Sequence, residues 1–113
     1  MADSLAVEVC KATSGFPRSE VFGLGAQMRR AAVSTVSNIV EGAARDTLAD
    51  YTRFLDVAYG SSCELEYQVS LAQRLGLLSG NSYDTLQSAS SETARVLNGL
   101  VCSLRRKSKK TPE

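Results

Sequence analysis

The sequence predicts an all-α protein folded as an antiparallel up-down four-helix bundle. Three observations carry this. Apolar residues recur at helical spacing in four consecutive segments. Short breaks rich in Gly, Pro and Ser separate the segments. No stretch of useful length alternates as a strand does, and short connections between amphipathic helices leave neighbours antiparallel. The 113 residues suit one domain, and 43% hydrophobic content suffices for a modest packed core.

The first helix is predicted over about residues 4–14, where Leu5, Val9, Ala12 and Phe16 share one face. The stretch SGFPRSEVFG ends it, with Gly15 as the cap and Pro17 as the stop. The second runs over about residues 24–44, with an apolar face covering half the circumference, wide enough to meet more than one neighbour. The third opens at Thr47, an N-cap with Asp50 three residues on, and runs to about residue 75, where Gly76 stops it. Gly60 lies mid-helix, costing about 1 kcal/mol relative to alanine, and is expected to mark a close approach by another backbone. SGNS at 79–82 reads as a turn, and the fourth helix as about residues 83–106. Residues 1–106 are therefore expected to form the bundle, and 107–113 a short, flexible basic tail.

Composition narrows the function. There is no histidine, which excludes histidine-based triads, bases and metal ligands. Cys10, Cys63 and Cys102 are odd in number and widely spaced, unlike a disulfide framework or a zinc site. Cys63 reads as core, since no base accompanies it. No stretch approaches the roughly 20 apolar residues that span a bilayer. The start, MADSLAVEVCK, carries an acid where a signal peptide carries basic charge, so a cytoplasmic protein is expected. Basic and acidic residues number 13 and 12, so the whole chain does not announce nucleic acid. The sequence GLG at 23–25 follows no strand and lacks the Lys-Ser/Thr of a P-loop, so it reads as a turn.

Two surface features stand out. On the second helix Gln27, Arg30, Ser34, Asn38, Glu41 and Arg45 step by three or four and stack as a polar stripe. Gln27, Arg30, Asn38 and Glu41, taken with Glu64 and Glu66 of the next helix, are read as structural. Arg30 is expected to pair with one of those glutamates at a helix or subunit boundary, fixing register. The alternatives are phosphate binding by the arginines and acid/base chemistry by Glu41 and Glu66. On the third helix Val57, Gly60, Glu64, Tyr67 and Leu71 project together, away from the main apolar face. An isolated bundle leaves them exposed, and tyrosine with aliphatic groups on a spare face predicts a subunit interface at Val57, Gly60, Tyr67 and Leu71, hence a homo-oligomer. Arg105, Arg106, Lys107, Lys109 and Lys110 crowd the C-terminal end and are the candidate nucleic-acid contacts.

The segment FPRSEVFGLGAQMRRAAVSTVSNIVEG at 16–42, followed by GSSCELE at 60–66, resembles a bacterial family. Its members are the four-helix-bundle proteins encoded within 23S rRNA intervening sequences. The family pattern is roughly FPxxExxGLxxQxRRAxxSxxxNIxEG and then GSxxELE. The accessory variability determinant protein of diversity-generating retroelements looks like a more distant relative. The resemblance implies a homopentamer. It carries over no catalytic motif, since the family name describes where the reading frame lies. Here the first helix is a turn or two short, and Val36 and Ser37 replace a proline often found before the asparagine.

The function expected is that of a non-enzymatic oligomeric bundle serving as an RNA or nucleoprotein accessory factor. The alternative is a protein-interaction scaffold without nucleic-acid binding. The partners expected are further copies of the chain and RNA, with no membrane, cofactor, metal or small-molecule substrate.

Overall fold

The computed structural model describes residues 1–110, with side chains described for residues 1–107. All regular structure among them is helical: α1 (Ala2–Ser14), α2 (Arg18–Val21), α3 (Leu24–Ala43), α4 (Leu48–Arg74) and α5 (Gly80–Lys110). The four long helices surround a common axis: α1 packs on α3 and α5, α3 on α4, and α4 on α5. The result is a rod, 54 × 20 × 18 Å.

Local chemistry sets the boundaries. Thr47 accepts the Asp50 amide at 3.1 Å and starts α4, as its sequence predicts. Gly76 ends that helix with φ +76°, a conformation that favours glycine. Around it the Leu77 amide donates to the Ala72 carbonyl at 2.8 Å and the Gly76 amide to the Gln73 carbonyl at 3.1 Å, the paired bonds of a Schellman ending. The turn before α5 is shorter than SGNS suggests, because α5 already begins at Gly80. At its far end α5 continues through Lys110, so Lys107, Lys109 and Lys110 belong to a helix and not to a flexible tail. The side chains of Lys109 and Lys110, and all of residues 111–113, lie outside the described residues. The SGFPRSEVFG break contains a helical turn, α2, whose Glu20 and Val21 amides donate to the Pro17 carbonyl.

The core has two parts. In the first, Leu5 and Val9 of α1 meet Leu24, Met28, Ala31 and Ala32 of α3, Leu65, Val69 and Ala72 of α4, and Leu86 of α5. The second contains Leu55, Ala58, Leu97, Val101 and Leu104, with Ile39, Tyr51 and Tyr59 packed on it. Only α3, α4 and α5 build this second part, because α1 has 13 residues against 31 in α5.

Close approach occurs at Gly42, not at Gly60. A Cβ on Gly42 would lie 3.1 Å from the Phe54 Cβ and 3.2 Å from the Tyr51 Cδ1, whereas one on Gly60 would meet nothing within 4 Å. Gly60 therefore earns no packing advantage inside the chain for its cost in helix propensity.

The tie between α1, α2 and α3 is Arg29. Its guanidinium donates to the Thr13 hydroxyl at 3.1 Å and to the Val21 carbonyl at 3.0 Å. The neighbouring Arg30 is exposed and has no hydrogen bond or ion pair among the described residues. The pairing expected of Arg30 with Glu64 or Glu66 is thus absent among the described residues of one chain, and Arg29 fills the internal role. At concentrations low enough to keep the chain monomeric, Arg29→Ala is expected to cost about 1–3 kcal/mol, leaving a carbonyl without its charged donor. Arg30→Ala should stay within about 0.5 kcal/mol of the parent. Urea unfolding followed by circular dichroism checks the order, and equal losses for the two would refute it.

Candidate functional site

The polar stripe of α3 and the spare face of α4 meet along one seam. Its centre is a bond between the Ser34 and Ser61 hydroxyls, 2.9 Å apart. Both are small, so the helices come close enough for hydroxyls to bridge them. The Asn38 amide donates to the Ser34 carbonyl at 2.8 Å and to the Ser34 hydroxyl at 3.2 Å, which extends the bridge by one turn. Helical spacing places Arg30 one turn before Ser34 and Glu41 one turn beyond Asn38 on the same side. On α4 the same logic puts Val57 one turn before Ser61, and Glu64 and Gln68 in the turns after it.

The polar groups of this seam are unevenly satisfied. Gln68 is 5% exposed and donates to the Glu64 carboxylate at 3.2 Å. Its Oε1 is buried without a hydrogen-bond partner, the single such side-chain atom among the described residues. Arg30 stands without a hydrogen bond or ion pair among the described residues, and Gln27 is exposed. Glu41 meets Arg45 at 3.6 Å, a pair on the helix surface. Beside these groups Val57 is 48% and Tyr67 59% exposed. The Arg74 guanidinium lies 5.8 Å from the Tyr67 ring centroid. Leu71 departs from the expected face: it is half-buried and packs on the first core.

Glu66 does not belong to this group. It lies across α4 in a shallow hollow of about 230 Å³ with Tyr59, Cys63, Ser91, Ala94, Arg95 and Asn98. Grouping it with Arg30 and Glu64 is therefore corrected: its position one step from Leu65 turns it toward α5. In that hollow the Tyr59 phenol is pushed above its ordinary value, chiefly by hydrogen bonding with Cys63. Glu41, on α3, is not in this hollow, so the two carboxylates are not brought together as an acid/base pair.

At the end of α5, Arg105 reaches Asp56 of α4 at 3.0 Å and is thus an inter-helix contact as well as a surface cation. Arg106 and Lys107 are exposed. Gly25, part of the GLG sequence, is a packing glycine: a Cβ there would lie 3.0 Å from the Glu20 carbonyl. All three cysteines are free, with Cys10 and Cys102 exposed. Among the described residues no three His, Cys, Asp or Glu side chains gather as a metal set, and no helix is long and apolar enough to cross a membrane.

Sequence reasoning missed Gln68, whose signal is its place on the 57, 61, 64, 68 ladder of α4. It also missed Arg29, hidden by the identical residue beside it.

The comparisons with known proteins agree with this architecture. No curated protein matches the chain. One similar solved structure is a crystal structure of a protein with unknown function from the S23 ribosomal protein family of Bacteroides thetaiotaomicron. It superposes with a TM-score of 0.78 at 21% identity, over 88% of this chain and 94% of that one, a likeness of fold alone. The family model described as 23S rRNA-intervening sequence protein matches residues 1–99, and with the two sequence elements that build the seam inside that span, the chain belongs to this family.

Proposed function

We propose that the protein is a non-enzymatic, cytoplasmic homo-oligomer, an antiparallel up-down bundle whose copies associate through the α3/α4 seam and that serves as an RNA or nucleoprotein accessory factor. The observation that carries the assembly is the composition of the seam. It joins exposed Val57 and Tyr67 to Arg30, which has no hydrogen bond or ion pair among the described residues. Apolar area beside polar groups that lack partners favours a protein surface over water. Arg30 then finds its carboxylate across the subunit boundary, and Gly60 allows the neighbouring copy to approach. The number of copies proposed is five, by the resemblance to the family.

The antiparallel order is supported by the paired residues. Gly42 lies by Tyr51 and Phe54, while Ser34, earlier on α3, lies by Ser61, later on α4. Likewise Arg105 meets Asp56, while the earlier Ser91 and Ala94 lie by Tyr59, Cys63 and Glu66.

Gly60→Leu separates assembly from folding. Its side chain begins in open space within the chain, and losing glycine favours the helix by up to about 1 kcal/mol. The monomer should fold at least as well as the parent. Light scattering at micromolar concentration should show an oligomer for the parent and a smaller species for the variant. A parent that is monomeric, or a variant that assembles unchanged, overturns the seam as the interface.

RNA contact is assigned to the basic end of α5, namely Arg105, Arg106, Lys107, Lys109 and Lys110. Because Arg105 also holds Asp56, the informative truncation ends after Arg106. It should leave folding intact and weaken binding of single-stranded RNA. It should also flatten the slope of log affinity against log salt by about 2, for three lysines at about 0.7 each. If the parent binds no RNA at low salt, the scaffold reading replaces the accessory one.

A further inference from the structure

The outward faces of α3 and α4 carry side chains that match when two copies stand side by side. On α3, Ala26, Val33 and Val40 recur every second turn, with Arg30 and Ser37 between them and Phe22 just before the helix. Phe22 is 76%, Val33 50% and Val40 64% exposed, so a row of apolar groups lies in water. A hollow of about 620 Å³ opens on this face, lined by Ala26, Arg29, Arg30, Val33 and Ser34. On α4 the outward face holds Val57, Gly60, Glu64, Tyr67 and Arg74. Contacts inside one chain fix the relative heights of the two rows. Counting from the Ser34–Ser61 bond, each step forward on α3 is one step back on α4, and Gly42 against Phe54 keeps that count to within a residue. On this scale Arg30 is level with Glu64, and Tyr67 is level with the hollow, between Ala26 and Arg30. Val33 is level with the turn that begins at Gly60, Val40 with the turn that ends at Val57, and Phe22 with Arg74.

We propose that the contact between copies is heterologous: the α3 face of one copy receives the α4 face of the next, with the two rods side by side and parallel. This deepens the reading of the seam as an interface and rests on it. Tyr67 of the next copy enters the hollow beside Ala26, and Glu64 of that copy pairs with Arg30. The charges are complementary. Arg30 is an exposed cation without a hydrogen bond or ion pair among the described residues, and Glu64 is an exposed carboxylate that accepts one amide, from Gln68. The sizes are complementary as well. A rotation about an axis along the rods leaves every height unchanged, so bulky Tyr67 meets small Ala26, Val33 meets the turn at Gly60, and Arg74 meets the Phe22 ring. Gly60, where a Cβ would touch nothing in its own chain, then makes room for the neighbour. A two-fold axis at the level of Arg30 and Glu64 reverses the heights instead. It sets Val33 on Tyr67 and Ala26 on Gly60, bulk against bulk and a void between two small residues. The outward directions of neighbouring helices in a four-cornered bundle differ by about a right angle, so successive copies turn about one axis. No height is gained at each step, so the copies close as a ring and do not climb as a fibre.

Light scattering on the full chain at micromolar concentration tests the pairing. The parent should exceed twice the 12.1 kDa mass of one chain. Val33→Arg spoils the α3 face and Tyr67→Asp the α4 face, and each variant should fall to a single chain. Both positions are exposed, and a circular dichroism melt verifies folding. Mixed in equal amounts, the two variants should form a species of two chains and stop there, because each pair keeps one intact α3 face and one intact α4 face. Arg30→Glu should also lower the assembled mass, and adding Glu64→Arg to the same chain should restore it. A parent that stops at two chains overturns the proposal in favour of a two-fold contact. It is also overturned if Val33→Arg assembles as the parent does, or if the charge exchange restores nothing. Should Gly60→Leu disperse the parent while Val33→Arg does not, the seam stands as an interface and the α3 hollow belongs to a different partner. A parent that is monomeric overturns both readings.

Discussion

The close approach of α3 to α4 is the constraint on which the rest of the structure depends. Two small residues on α3 make it. Gly42 lets the helix end rest against Phe54 and Tyr51, and Ser34 allows a hydroxyl bridge to Ser61. With these contacts fixed, α3 presents three sides at once: one to α1, one to α4, and one to the exterior. Its polar stripe is the edge of the α4 side, and so it lines an outward seam and not a buried channel. The loop between the helices is held in the same way. Arg45 and Arg53 place their guanidinium carbons 5.7 and 4.7 Å from the Phe54 ring centroid, over the residue that Gly42 admits.

Buried hydroxyls do not disturb this packing, because each returns its proton to its own helix. Thr13 donates to the Val9 carbonyl at 2.8 Å, Thr35 to Ala31 at 2.9 Å, Thr93 to Ala89 at 2.8 Å and Ser62 to Tyr59 at 2.7 Å. Threonine and serine therefore behave as small core residues here, presenting a methyl or little bulk to the neighbour. The contrast with Gln68 is instructive. Its amide donates to Glu64 one turn back on the same helix, and its Oε1 is buried without a hydrogen-bond partner among the described residues. A polar group fully met inside a helix is tolerated in the bundle; one met only in part costs the desolvation of the atom left over.

Much of the fold was legible because helix boundaries are written locally. Thr47 with Asp50, Pro17, and Gly76 each act within a few residues, so their effects follow from sequence. The errors lie where the answer depends on what stands opposite. Gly60 and Gly42 are both helical glycines, and nothing in their neighbours says that Gly42 faces Phe54 while Gly60 faces open space. Arg29 and Arg30 are adjacent and identical in chemistry; a rotation of one residue decides which reaches Thr13 and Val21. Glu66 differs from Glu64 by two residues, about 200° around a helix, so spacing alone already sets the two on opposite sides of α4, and only the neighbours of Glu66 on α5 had to be learned from the structure. The α3 stripe and the α4 patch were each visible, but their union as one seam required the Ser34–Ser61 register.

The shape of the molecule connects these surfaces. A globular chain of this length has a radius of gyration of about 13 Å, whereas this one measures 15.4 Å. A rod exposes more surface per residue than a sphere, and less of its apolar area contributes to an internal core. The cost is concentrated around the second core, whose five buried residues all come from α4 and α5, while Val40 and Leu100 stand in water. Burying a valine or leucine fully is worth about 1.5–3 kcal/mol, so a few such groups left exposed amount to a sizeable part of the 5–15 kcal/mol that holds a domain folded. A bundle built this way gains stability when other helices cover it.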